Sequence, residues 1–449
     1  MFGFRNLLLL GLLCAQCCTG RTTANDKKKL NAESRGEDLP WLLLTGIGNL
    51  RDSIEVKPGK DYALYKLQGT DPSLIARAMG MDFHWIKTVS LNEFRRNFPE
   101  GLLLAPLDSL NGLLKPLVVN GHSFFEKPES WPYMEKGEKR FEFSGKVTLL
   151  SITGVTAITR NTGFAADAYG VDFLTKNLKP WFTKSDWLHM SNEVSFTPDC
   201  QYPKGGTRFC SKEAHFQALL DLGCDIVELT GNHNRDYGNA AFNQTYEWYL
   251  KHGIRPFGGG RNEAEASAPL LITLKDSTHV AFVGFNELCP LGECAAGSSP
   301  GACRYDAEKA KRMLAEARKK AGNGLVICSV QFGEVDSYAP SSTQAAICKD
   351  LTAWGADLVY GSQAHQIQQI AVENGKPVYY GLGNFLFDQT HRTDVRQAFF
   401  LQNYIYKGKL VATLPVYTFM AANRQPSIAT GNEMLEMKKS ILADSLLTR

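Results

Sequence analysis

At 449 residues with 44% hydrophobic content, the chain is long enough to bury more than one sizeable core, and two or three domains are expected. Lys and Arg number 49 against 46 Asp and Glu, a balance too even to suggest a nucleic-acid partner. No dense basic run with interleaved aromatics offers such a surface either, so nucleic-acid binding is excluded as an expectation.

The N-terminus reads as an export signal covering residues 1–20. Arg5 supplies the charge, Leu7 to Leu13 form a short apolar run, and small residues follow near Cys17 to Gly20. The run is too short to span a bilayer as a helix. Cys14, Cys17 and Cys18 beside it hint at lipid attachment and membrane association, although Leu13, Gln16 and Cys17 are poor residues to precede a lipidated Cys. An exported, periplasmic or cell-surface location follows. The cysteines beyond this leader are even in number, as suits an oxidising compartment. Cys200 and Cys210 flank a loop with Pro203, Gly205 and Gly206 that can reverse direction, and a disulfide between them is expected. Cys289, Cys294 and Cys303 share a second Gly/Pro-rich loop, whereas Cys224, Cys328 and Cys348 sit in apolar contexts that favour free buried thiols.

Residues 21–40 are polar and read as a linker. A small α/β domain of unknown role is predicted over 41–145, with apolar runs at Leu42 to Leu44, Tyr62 to Leu67, Gly101 to Leu104 and Leu117 to Val119. The Pro-, Glu- and Lys-rich stretch Glu126 to Arg140 marks its boundary. Strands then alternate with helices over 146–420. Strands are predicted at Val147 to Thr153, Asp186 to Glu193, His279 to Phe285 and Leu325 to Val330. Helices are predicted at Ser211 to Leu222 with Ser211 as cap, Asn239 to His252, Asp306 to Ala321 and Thr343 to Trp354. Strands at Gln369 to Val372 and Pro377 to Tyr380 and a hairpin around Lys407-Gly408-Lys409 close the series, and 421–449 reads as a helical tail. The alternation points to an α/β sandwich.

Two echoing stretches organise this second domain. Gly223 to His233 and Gly355 to His365 each end an apolar-periodic helix at Gly, run through a short buried strand, and place a His ten residues after that Gly. Polar residues just past a strand's carboxyl end fall where such folds bind ligands. The spacing therefore predicts two imidazoles at one edge of one sheet. Thr230 to Gly238 packs an amide, an imidazole and a carboxylate into one turn, and Gly383 to Gln389 adds a third polar tip. A turn whose Asn and Gly simply supply left-handed conformations accounts for the first stretch equally well on composition; the other two favour a site.

Together these motifs carry a resemblance. Asn232-His233 with Asp236-Tyr237-Gly238, the turn Phe257 to Asn262, Gly361 to His365 and Leu382 to Gln389 resemble the CapA family, linked to poly-γ-glutamate capsule synthesis. The likeness covers roughly Lys146 to Met420. It implies a metallophosphoesterase-like α/β sandwich with mixed sheets, preceded by the smaller α/β domain. Departures from the family pattern accompany it. Val155 stands where a metal-binding Asp is usual, Gln331 replaces an imidazole, and Gly361-Ser362-Gln363-Ala364-His365 keeps only the last of three His. The resemblance implies His233 and Asp236 as catalytic candidates, with His233 stabilising charge or protonating a leaving group. Asp236 either fixes the His233 tautomer or closes the turn. It implies Glu193, Asn232, His365 and Asp388 as ligands for a divalent ion of unknown identity, and the altered motifs are equally compatible with no metal. The implied partner is an anionic polymer or a small-molecule ester. The rival reading is a non-catalytic envelope protein that binds such a polymer through a degenerate metal site.

Overall fold

The computed structural model describes residues 36–202, 206–442 and 447. The expected leader and most of the expected linker lie outside these residues, as does most of the tail beyond Leu442.

The chain first builds a mixed six-stranded sheet. Strands β1 (Leu39–Gly46), β2 (Asp61–Leu67), β3 (Asp82–Val89), β4 (Leu102–Pro106) and β5 (Leu114–Pro116) assemble in the order β3-β2-β4-β1-β5, and Met134–Glu135 pairs with β1. Its core holds Leu43, Leu64, Phe94, Leu103 and Leu104. The stretch expected as a boundary, Glu126 to Arg140, contributes Trp131 and Tyr133 to that core.

Strands β6 (Val147–Thr156), β7 (Trp187–Asn192), β8 (Ile226–Glu228) and β9 (Arg255–Phe257) then form one parallel half-sheet. Strands β10 (Leu270–Thr273), β11 (His279–Asn286), β12 (Leu325–Gln331), β13 (Leu358–Ser362), β14 (Ile370–Glu373) and β15 (Lys376–Tyr379) form a second sheet in the order β10-β11-β12-β13-β15-β14. The chain returns to the first sheet with β16 (Asn384–Leu386), which pairs with β6. Antiparallel β17 (Gln397–Tyr406), β18 (Lys409–Met420) and β19 (Pro426–Ile428) then complete the order β9-β8-β7-β6-β17-β18-β19.

Alternation along the strands explains the layering, because successive side chains point to opposite faces. Val280 and Phe282 of β11 face the inter-sheet core with Leu150, Ile152 and Leu401, whereas Ala281, Val283 and Phe285 face outward. Helices α1 (Arg160–Tyr169), α2 (Gln217–Leu222) and α3 (Gly238–Lys251) lie along the first sheet; Phe216, Leu219 and Tyr249 there pack against Leu188, Met190 and Val227. Helices α4 (Ala307–Ala321) and α5 (Ser342–Ala353) cover the second sheet through Met313, Leu314, Ala317 and Leu351. The result is the α/β sandwich with mixed sheets that the sequence led us to expect.

Local signals account for most helix ends. Asp306 caps α4 by accepting from the Lys309 amide, and Ser341 with Gln344 forms a capping box on α5. Ser211 does not cap its helix: its hydroxyl donates to the Ile158 carbonyl, and the segment opens as a 3₁₀ turn at Glu213 before α2. The tail forms α6 (Gly431–Ile441), with Met437 and Ile441 buried in the inter-sheet core. Among the described residues, no helix is long and apolar enough to cross a membrane. Cys200 is bonded to Cys210 across a 5.8 Å Cα separation, and Cys289 to Cys294 across 5.7 Å. Cys224, Cys328 and Cys348 are free and buried, as is Cys303.

Candidate functional site

The two echoing stretches do not share a sheet. His233 follows β8 in the first sheet and His365 follows β13 in the second, which corrects the expectation of one edge of one sheet. The two imidazoles still meet, because the parallel strands of both sheets deliver their carboxyl ends to the same end of the sandwich. There a crevice of about 510 Å³ is lined by Asn232, His233, Asp236, Gln363, His365 and Arg160. The periodicity of a single unit carries no information on which sheet it joins; pairing partners decide that.

Backbone geometry concentrates here. Arg160, Gln363 and His365 adopt φ of 45°, 82° and 53°, the left-handed region that non-glycine residues rarely enter. Such conformations persist where surrounding structure enforces them, and they cluster at functional sites. At Gly231 a Cβ would lie 2.7 Å from the Glu193 Cα, so only glycine lets the His233 turn pass over β7's end. At Gly154 a Cβ would meet the Gly383 carbonyl at 2.2 Å, so β6 can press against the Asn384 segment.

The His233 Nδ1 donates to Asp236 Oδ2 at 2.8 Å, and its Nε2 lies 3.4 Å from the Asn232 amide nitrogen. Asp236 therefore fixes the ring's tautomer. It also closes the turn, since the Phe209 amide donates to Oδ2 at 2.6 Å and the Arg208 Nε to its main-chain oxygen at 3.0 Å. Burial alone would depress the His233 pKa. The Asp236 hydrogen bond and the charges of Glu193, Asp236 and Glu293 outweigh that and raise it above the ordinary imidazole value. A proton exchanged at Nε2 near neutral pH is the chemistry this ring can offer.

The remaining sequence-identified residues divide into separate clusters. His365 is buried, shares a hydrogen bond with the Asn384 Oδ1 at 2.9 Å and lies against the Phe387 ring. Asp388 is engaged by Arg160, whose Nε donates to both carboxylate oxygens at 3.1 Å, and by the Asn161 amide. The Arg160 guanidinium in turn lies over Phe209 and Phe387. Glu193 is 1% exposed, and neither carboxylate oxygen has a hydrogen-bond partner.

These donors do not fit a pair of divalent ions. Such a pair needs several carboxylates and neutral imidazoles to offset its charge. Val155 is buried between β7 and β16, Gln331 donates to Asn232 Oδ1 at 3.1 Å and to Gln363, and Asp388 is already neutralised by Arg160. Glu193 is left as the free carboxylate among the expected ligands. Among the described residues, no group of three or more His, Cys, Asp and Glu is arranged to hold a metal ion.

Two crevice residues escaped the sequence reading. Glu293 lines the crevice inside the Cys289–Cys294 loop and accepts the Arg235 amide hydrogen at 3.0 Å. Burial, reinforced by the Asp236 charge, pushes its carboxyl up to about 7 against the opposing Arg235 amide and the His233 and Arg235 charges. Arg208 lines the crevice inside the Cys200–Cys210 loop. The available signal was similar in both cases, a charged residue within a short cysteine-flanked loop.

Residues 143–389, which hold most of this crevice, match the family described as bacterial capsule synthesis protein PGA_cap. The PGA biosynthesis protein CapA of Bacillus subtilis is 24% identical over 58% of the chain and 68% of that relative. The capsule biosynthesis protein CapA of Bacillus anthracis is 24% identical over 54% of the chain and 60% of its own length. Among solved structures, the NAD nucleotidase of Haemophilus influenzae aligns with a TM-score of 0.38 at 13% identity, over 66% of the chain and 62% of that protein. With a family model matching more than half its length, the chain belongs to the bacterial capsule synthesis protein PGA_cap family.

Proposed function

We propose that the chain is an exported participant in capsule or poly-γ-glutamate biosynthesis whose crevice holds a carboxylate-rich polymer. The observation that carries this reading is the Arg208 guanidinium beside His233, in a crevice of the family-matched stretch that also holds the Asp236, Glu293 and Glu334 carboxylates. The Arg208 guanidinium donates to a main-chain carbonyl and lies over the Tyr237 ring rather than pairing with a carboxylate, and His233 beside it is biased towards its charged form. A carboxylate of an extended polyanion can pair with Arg208, whose planar fork suits carboxylate recognition, while His233 beside it is already paired with Asp236. Export is supported by the leader pattern and by two disulfides.

The test is calorimetric titration of poly-γ-glutamate oligomers into the purified chain and into His233→Ala, His365→Ala and Arg208→Ala, with melting temperature measured on each. Binding lost at unchanged melting temperature is the expected result. Unchanged binding with lowered stability in the variants overturns the reading. Chain-length analysis of the polymer after incubation separates holding it from cutting it.

A further inference from the structure

A second cavity, of about 420 Å³, shares no lining residue with the crevice. It lies where the first sheet's β18, the helix α6 and the smaller N-terminal sheet meet. Its origin is legible in β18. Pro415 pairs with Leu401 of β17, and a residue without an N–H is tolerated where its other side needs no donor. Strand β19 pairs only with Thr418, Phe419 and Met420, so Leu414, Pro415 and Val416 stay half-buried beside an uncovered strand edge. Leu42, Phe125, Ile428 and Met434 complete the apolar wall.

One part of the wall is charged. The Lys115 ammonium donates to Asp52 Oδ1 at 3.0 Å and to the Asn49 carbonyl, and the Lys438 ammonium donates to Asp52 Oδ2. The lysine side chains are 13% and 9% exposed, whereas Asp52 is 48% exposed. Two largely buried cations thus share one half-exposed carboxylate, with the exposed Glu100 adding its charge at Lys115. The other acidic residue of the lining, Glu126, is solvent-exposed. A buried charge is costly unless fully paired, so this corner is complementary to one further anion. The volume falls within the range of small-molecule sites, which combine apolar walls with a few placed polar groups.

We propose that this cavity binds a single-chain amphiphile with an anionic head, its tail against Leu42, Phe125 and Val416 and its head at Lys115 and Lys438. The site lies outside the crevice and is independent of the polymer reading. Isothermal titration of the full chain with dodecanoate, dodecyl phosphate and dodecanol, all below their micelle concentrations, tests it. The expected result is saturable one-to-one binding of the anionic probes, weakened at least tenfold by Val416→Trp, which fills the wall. Lys115→Met and Lys438→Met are expected to weaken the anionic probes tenfold and leave dodecanol unchanged. Comparing the two anions shows whether carboxylate or phosphate is the preferred head. If Val416→Trp does not fold by circular dichroism, Ile428→Phe fills the same wall. No saturable binding, equal binding to the filled variant, or displacement of dodecanoate by poly-γ-glutamate oligomers overturns the proposal.

Discussion

Glu293→Gln isolates the most perturbed carboxyl in the crevice. In the folded chain this group titrates at about 7 instead of the ordinary 4.5, because burial disfavours its charged form. Between those values the native state keeps a proton that the unfolded chain has shed. The contribution is therefore fully present below pH 4.5 and is lost as pH rises through 7. At about 1.4 kcal/mol for each pH unit, the loss amounts to about 3 kcal/mol. Glutamine preserves the shape and the oxygen that accepts the Arg235 amide but cannot ionise. Wild type and Glu293→Gln should thus be equally stable near pH 4.5, and the variant should become the more stable by about 3 kcal/mol at pH 8. His233, with its raised pKa, adds a loss of the same sign above pH 6.5 in both chains; the comparison removes the part owed to Asp236 and Glu193 and retains the part owed to the Glu293 charge. Urea unfolding followed by tryptophan fluorescence at intervals from pH 4.5 to 8 measures the difference. Parallel pH profiles for the two chains would refute the placement of Glu293 in a desolvated wall.

Opening the Cys200–Cys210 loop by a double substitution to Ser should lower stability by roughly 2 to 3 kcal/mol, the chain-entropy value for a loop of this size; an unchanged calorimetric midpoint, or free thiols at both positions on unreduced peptide mapping, counts against it. Arg160→Ala should cost about 3 kcal/mol, because it strands the Asp388 carboxylate, whose side chain is only 4% exposed. Adding Asp388→Asn should restore much of that loss, and a double-mutant cycle with no coupling defeats the assignment of Arg160 as its counter-charge.

Much of the sandwich was legible because its elements advertise themselves locally. The Ala310, Met313, Leu314, Ala317 stripe and the Gly223 stop each specify structure within a few residues. The helix expected over Asn239 to His252 was equally clear and forms at Gly238–Lys251. Long-range pairing was not legible. That β8 and β13 join different sheets depends on partners such as β7 and β12, which no local pattern names. In the crevice, the positions that follow strands were visible, whereas Glu293 and Arg208 arrive on irregular loops whose path depends on disulfide closure. Asp388 illustrates a third limit: its placement after a strand could be read, but its engagement by Arg160, 228 residues away, could not.

The N-terminal sheet's core does not stop where the family-matched stretch begins. Val147 and Leu149 of β6, Tyr404 and Tyr406 of β17, and Val411 of β18 all belong to it, and β17 pairs with β6 along Val147 to Ile152. A protein trimmed to residues 143–389 therefore loses β17 and β18 along with the apolar cover on β6, and leaves one edge of β6 without its partner strand. Such a fragment is a template for intermolecular strand addition rather than a minimal working unit. Any dissection of this molecule has to retain Leu39 to Ile441 as one piece, because the segments outside the recognisable motif form the surface on which the motif is folded.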